Sequence, residues 1–160
     1  MPTKRQEMQS LIRIFKEETG EKEVDMHRVA MFAMKKGWPM PKPETALDRL
    51  AKQFSIAARE EVRRDPTTGR PYRVNHAVTT WQGPKQLTFW VDIDEAPRRH
   101  VHKSFVQRRE QMVGDGLQLT FDVDHWNSVN ASEEPIVMPM DFTDDIAWRK
   151  NSPDENEHAA

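Results

Sequence analysis

Asp65-Pro66-Thr67-Thr68-Gly69 separates two kinds of hydrophobic pattern. On its N-terminal side apolar residues recur with the period of a helix. Leu47, Leu50, Ala51, Phe54, Ala58 and Val62 place one inward stripe along a segment from about Glu44 to Arg64. On its C-terminal side the period falls to two. Tyr72, Val74, His76 and Val78 alternate with polar or small neighbours, and Leu87, Phe89, Val91 and Ile93 do the same. Trp81-Gln82-Gly83-Pro84 lies between these runs as a turn. A helix followed by a β-hairpin with one buried face is the expectation.

Working upstream, two shorter helices precede this pair. Met8, Leu11, Ile12 and Phe15 share one helical face, with Thr3 as cap and Gly20 as stop. A second helix is expected from Asp25, a good N-cap, to about Lys36. Met26, Val29, Ala30 and Ala33 form its inward stripe, and Gly37 ends it in a left-handed turn. Gly37-Trp38-Pro39-Met40-Pro41-Lys42-Pro43 cannot be helical, because its prolines remove donors and restrict their neighbours. It reads as a stiff connector anchored by Trp38. Three helices and then a hairpin is the element order of a winged helix-turn-helix. The fold class expected is therefore mainly α with a small β part, with residues 1–94 as a winged-helix-like domain.

Downstream, a fourth helix starts near Asp94 or Glu95, with Pro97 in its first turn. Val101, Phe105, Met112, Leu119, Val123 and Trp126 fit a stripe along residues 95–128 that passes Gly116 as a close-contact position. Leu117, Leu119, Phe121 and Val123 also alternate, so Gly114-Asp115-Gly116 could be a turn leading into a strand; one long helix to about Asn127 is the favoured reading. Residues 129–150 read as an extended acidic and apolar docking segment, and residues 151–160 as a disordered tail.

Composition narrows the function classes. At 160 residues, with 31% charged and 36% hydrophobic residues and a mean hydropathy of −0.86, the chain is polar for its size. No apolar run is long enough for a bilayer, and Met1-Pro2-Thr3-Lys4-Arg5-Gln6-Glu7 lacks the apolar core of a secretion signal. The absence of cysteine excludes disulfides and thiolate zinc sites and fits a cytoplasmic protein. Residues 1–112 carry 22 Lys and Arg against 15 Asp and Glu, a balance of +7, whereas residues 113–160 carry 2 against 11, a balance of −9. A basic body with an acidic tail suits binding to a polyanion under the control of a partner.

Two stretches carry a family resemblance. Arg59-Glu60-Glu61-Val62-Arg63-Arg64-Asp65-Pro66 with Gly69-Arg70 and Asn75-His76-Ala77 is one. Gln107-Arg108-Arg109-Glu110-Gln111-Met112-Val113-Gly114-Asp115, with Asp122-Val123-Asp124 and Asp141-Phe142-Thr143-Asp144-Asp145, is the other. Together they resemble an uncharacterised group of bacterial hypothetical proteins over roughly residues 25–148. The resemblance implies a helical segment after Gly116 and carries no activity or site residue with it.

The chemistry expected is binding. Arg49, Lys52, Gln53, Arg59 and Arg63 lie off the apolar stripe of the third helix, and Arg64, Arg70, Arg73 and Lys85 lie on the hairpin or its approach. In a winged helix such residues would meet bases and phosphates, of DNA more than of RNA. Asp48, Glu60 and Glu61 among them equally suit a solvated face of intrahelical pairs. Ile136, Met138, Phe142, Ile146 and Trp148 are the candidate partner-binding residues of the tail, unless they pack back as ordinary core. A protein-interaction adaptor or homodimer is the alternative, suggested by Trp38, Trp81, Trp90, Phe142 and Trp148 and by nine methionines. His100 and His102 would diverge on a helix, and Asp122-Val123-Asp124 has Trp126 at a ligand position of a calcium loop, so no metal is expected. Asp92 and Asp94 read as helix caps. No phosphate-cradling glycine loop, nucleophile elbow or cofactor motif occurs. The expectation is a protein that is no enzyme, with no cofactor, membrane or small-molecule substrate.

Overall fold

The computed structural model describes residues 1–152; the expected disordered tail lies, from residue 153 on, outside the described residues. The chain divides into two units, Met1–Ala46 and a second beginning at Leu47. The molecule is mainly helical with two small antiparallel hairpins. No helix among the described residues is long and apolar enough to cross a membrane.

The first unit is a pair of helices, α1 (Lys4–Thr19) and α2 (Met26–Lys35). Their ends are fixed by the residues expected to do so. The Thr3 hydroxyl accepts from the Gln6 N–H at 3.3 Å, and the Gln6 side chain accepts from the Thr3 N–H at 2.7 Å, a reciprocal capping box. Gly20 closes α1 at φ +72°. The Asp25 carboxylate accepts from the His27 N–H at 2.8 Å. At the end of α2, Gly37 sits at φ +87°; its N–H reaches the Met34 carbonyl, and the Trp38 N–H reaches that of Ala33. That pattern is a Schellman stop, with Trp38 half-buried beyond it.

Between the helices, Phe15, Val29 and Ala33 are buried, and Phe32 meets Phe15 edge to face at 5.5 Å. Met26 and Ala30, expected inside, are exposed, and Phe32 lies inward instead. Arg28 lies over the Phe15 ring and pairs with Glu21 at 2.7 Å; Lys36 lies over Phe32 and pairs with Glu18 at 2.9 Å. Cationic side chains thus seal the small aromatic seam from outside.

Helix α3 (Ala46–Glu60), all but its first residue in the second unit, ends four residues before the expected boundary. Val62–Arg64 forms strand β1, paired antiparallel with β2 (Pro71–Arg73). The cause lies in the turn between them. The Asp65 carboxylate accepts from the Thr67 and Thr68 N–H groups at 2.8 Å each, and Gly69 adopts φ +69°. Those two N–H groups hold the Asp65 carboxyl below its ordinary pKa. The turn returns the chain onto residues 62–64, where β-branched Val62 suits a strand.

The expected inward stripe of α3 is also corrected. Leu47, Leu50, Ala51 and Phe54 are exposed, as is Ile56 outside that stripe, and α3 contains no buried residue. No element of its own unit covers that face.

The expected single strand from Tyr72 to Val78 is broken at Val74, the most deeply buried residue described. The Val74 N–H donates to the Glu61 carbonyl at 3.1 Å, while its own carbonyl accepts from the Ile93 N–H at 2.8 Å. The backbone therefore changes partner at one residue. It leaves the first hairpin and enters the second, β3 (Asn75–Gln82) with β4 (Lys85–Asp92). Trp81 and Gln82 belong to β3, and the turn itself is Gly83-Pro84, with Gly83 at φ +59°. The Asp92 carboxylate accepts from the Asp94 N–H and pairs with Arg63, and Asp94 accepts from the Tyr72 hydroxyl. Both carboxylates thus shape the strand-to-helix junction rather than cap the helix; Pro97 holds that position.

Helix α4 (Arg98–Val129) is the favoured long helix, and no strand forms over residues 117–123. Of its expected apolar stripe, Phe105, Met112 and Leu119 are exposed, whereas the polar Ser104 is buried. Past Asn130 the chain runs back in extended form, its backbone tied by the Asn127 amide to both the N–H and the carbonyl of Ile136 at 2.8 and 2.9 Å. Met140 comes to rest near Gly116. Residues Thr143–Lys150, expected to be extended, form helix α5, with Asp144 and Asp145 in its first turn.

Candidate nucleic-acid interface

The polar residues of α4 define the most structured site. Ser104, Gln107, Arg108 and Gln111 recur at i, i+3, i+4 and i+7 and form a row facing the hairpin. Gln107 supplies the register. Its amide oxygen accepts from the Thr79 N–H at 3.2 Å, and its amide nitrogen donates to the Thr79 carbonyl at 3.1 Å. One side chain thereby replaces a strand along the outer edge of β3. Two turns earlier, His100 Nε2 donates to the His76 carbonyl at 3.3 Å, and the His76 ring meets Phe105 edge to face.

This polar seam holds α4 beside the sheet and leaves a recess of about 240 Å³. Its wall is made by Arg59 from the end of α3, Arg73 from β2, Thr88 and Trp90 from β4, and Arg108 and Gln111 from α4. Three arginines from three elements line it, and among the described residues no Asp or Glu does. The Arg59 guanidinium lies over the Trp90 ring at 5.6 Å, which orients both side chains. Arg73 and Arg108 form no ion pair among the described residues. Such a lining can receive an anion and can stack a planar group.

The nine residues expected to bind nucleic acid are divided by the structure. Arg59 and Arg73 come together in the recess. Arg49, Lys52 and Gln53 lie exposed on α3, and Lys85 lies exposed at the β3–β4 turn. Arg63 stands on a strand, not a helix, and reaches Asp92 and Glu61 at 3.4 Å each. Partial desolvation works against its charge, yet those carboxylates outweigh it and hold its pKa above the usual guanidinium value. Arg64 donates to the Gly69 carbonyl at 3.1 Å, bracing its own turn. Arg70 reaches the Asn151 side chain at 3.4 Å. Arg63, Arg64 and Arg70 thus have structural partners.

Arg108, Gln107 and Gln111 were absent from the sequence-based candidates. The signal that could have found them is their helical spacing: a polar row on a helix that comes after a hairpin marks a face turned toward strand edges. In the tail, Ile136, Met138, Phe142, Ile146 and Trp148 are all exposed, so packing back as core is not what these side chains do. Among the described residues no cluster of three His, Cys, Asp or Glu side chains could hold a metal. No family model, no curated protein and no solved structure matches the chain.

Proposed function

We propose that the protein binds nucleic acid through the arginine-lined recess, as an accessory or regulatory protein of the cytoplasm. The observation that carries this reading is the convergence of Arg59, Arg73 and Arg108 on a cleft without a lining carboxylate among the described residues. Phosphate neutralisation needs cations that are held in place and not already paired. Three helices precede the hairpins, an order that suits a winged helix-turn-helix, with Lys85 at the β3–β4 turn able to reach the backbone. The acidic residues Asp141, Asp144 and Asp145 would compete with nucleic acid or recruit a basic partner. Measuring affinity for a labelled oligonucleotide across a salt series tests the proposal. Three phosphate contacts give a slope of about −2 to −3 in log K against log salt. Absence of binding at low salt would remove it.

A second reading is favoured by one observation, the open apolar face of α3. Leu47 is 76% and Phe54 68% exposed on an amphipathic helix. Pairing of two α3 helices through this face would cover Leu50 and Phe54 of both copies. The chain would then act as a homodimer or adaptor. Light scattering at several concentrations checks this: Phe54→Asp should yield a monomer if wild type is a dimer, and a monomeric wild type at every concentration rules it out.

A further inference from the structure

We infer that the recess takes an unpaired nucleotide, so that the ligand is single-stranded nucleic acid rather than duplex. The inference rests on the nucleic-acid reading above and deepens it. Three features point this way, and each concerns what can enter the cleft. The first is size. About 240 Å³ is below the roughly 300 Å³ at which typical small-molecule sites begin, and has room for one base with its backbone left outside rather than for a whole cofactor. A duplex is a convex rod and can lie across the mouth of such a recess, but only a residue outside the stack can enter it.

The second feature is the kind of wall. The Arg59 guanidinium lies over the half-buried Trp90 ring, 5.6 Å from its centroid, and both planar groups border the recess. Bases within a duplex hide their faces from such a surface, whereas an unpaired base offers its own. Aromatic and arginine planes bordered by cations are the combination by which proteins hold single strands, the plane taking the base and the cations the backbone. The third feature is the placement of charge. Arg73 and Arg108 stand on different elements, β2 and α4, so their charges flank the recess instead of following one helix. Gln111 adds an amide beside Arg108 on the same face of α4. Gln107, by contrast, is committed to Thr79 and fixes the geometry of the cleft. Thr79 and Thr88 meet hydroxyl to hydroxyl at 3.3 Å and add polar groups to its lining.

The experiment compares fluorescence anisotropy of a labelled oligodeoxythymidine and oligouridine with a mixed-sequence duplex of equal length, using the full chain. Single strands of either sugar are expected to bind at least about fivefold tighter than duplex, the lower end of what stacking one base on an aromatic side chain is worth. Trp90→Leu should weaken single-strand binding roughly 5- to 100-fold, while Trp90→Tyr, which keeps a planar face, restores most of it. Arg73→Ala with Arg108→Ala should flatten the salt slope by about 0.7 for each phosphate that the protein no longer neutralises. Circular dichroism of each variant confirms that the fold is kept, and for a Trp90→Leu variant that unfolds, Arg73→Ala with Arg108→Ala decides alone. Equal or tighter binding of duplex overturns the inference and leaves the nucleic-acid reading standing. Binding of neither overturns both. Single-strand binding that ignores the arginine pair and, in a folded variant, Trp90 places the ligand elsewhere and overturns the inference.

Discussion

Helices α1 and α3 have nearly the same length and both carry an apolar stripe, yet one is covered and the other is not. Phe15 of α1 is buried against α2, whereas Phe54 of α3 stands 68% exposed. The difference lies in the element that comes after each helix. Beyond Gly20 a short link leads to Asp25, which caps α2 and sends it back along α1. Beyond Glu60 the chain enters β1 at once and spends its turn residues on a hairpin that pairs with itself. Periodicity reports that a helix has an apolar side; only the next element decides what covers it.

The largest effect expected from breaking this contrast is at Phe15. Phe15→Ala should destabilise the first unit by about 3–5 kcal/mol in denaturant unfolding, as removal of a buried aromatic ring does. Removing a cap costs less: Thr3→Ala or Asp25→Ala should each cost about 1 kcal/mol, because a helix-end N–H is left without its acceptor. Gly114→Ala should run the other way and stabilise by up to about 1 kcal/mol, since a methyl group there meets nothing and the helix gains a better former. The smallest effect belongs to α3 itself. Phe54→Ala should change stability of the monomer by no more than about 0.5 kcal/mol, the range of surface positions.

The turn between β1 and β2 adds a pH dependence of fixed sign. Hydrogen bonds from Thr68 and Thr67 hold the folded Asp65 carboxyl below its unfolded value of about 3.9. The stabilisation is therefore complete above that value and disappears as pH falls through the lower folded one. Amide signals of Thr67 and Thr68 should report local loosening on acidification in wild type and lose that dependence in Asp65→Asn.

Much of the fold was legible because local chemistry marked it. Thr3, Gly20, Asp25 and Gly37 sit where the helices begin and end, since caps and left-handed glycines act within a few residues. The long helix through Gly114 and Gly116 was also readable. The first hairpin was not, because three-residue strands are too short for alternation to show, and Val62 served a helical period equally well. Half of the site was hidden for a different reason. Arg59 and Arg73 stood out as cations, but Arg108 joins them only because Gln107 replaces a strand along β3, a pairing across 28 residues that leaves no local trace.

Hydrogen–deuterium exchange with and without a saturating oligodeoxythymidine locates the site most directly. Slowed exchange in residues 73–80, 86–91 and 104–111, with α3 from Asp48 to Ile56 unchanged, is the predicted map. Protection confined to α3, or to the acidic segment from Glu133 to Lys150, would contradict it.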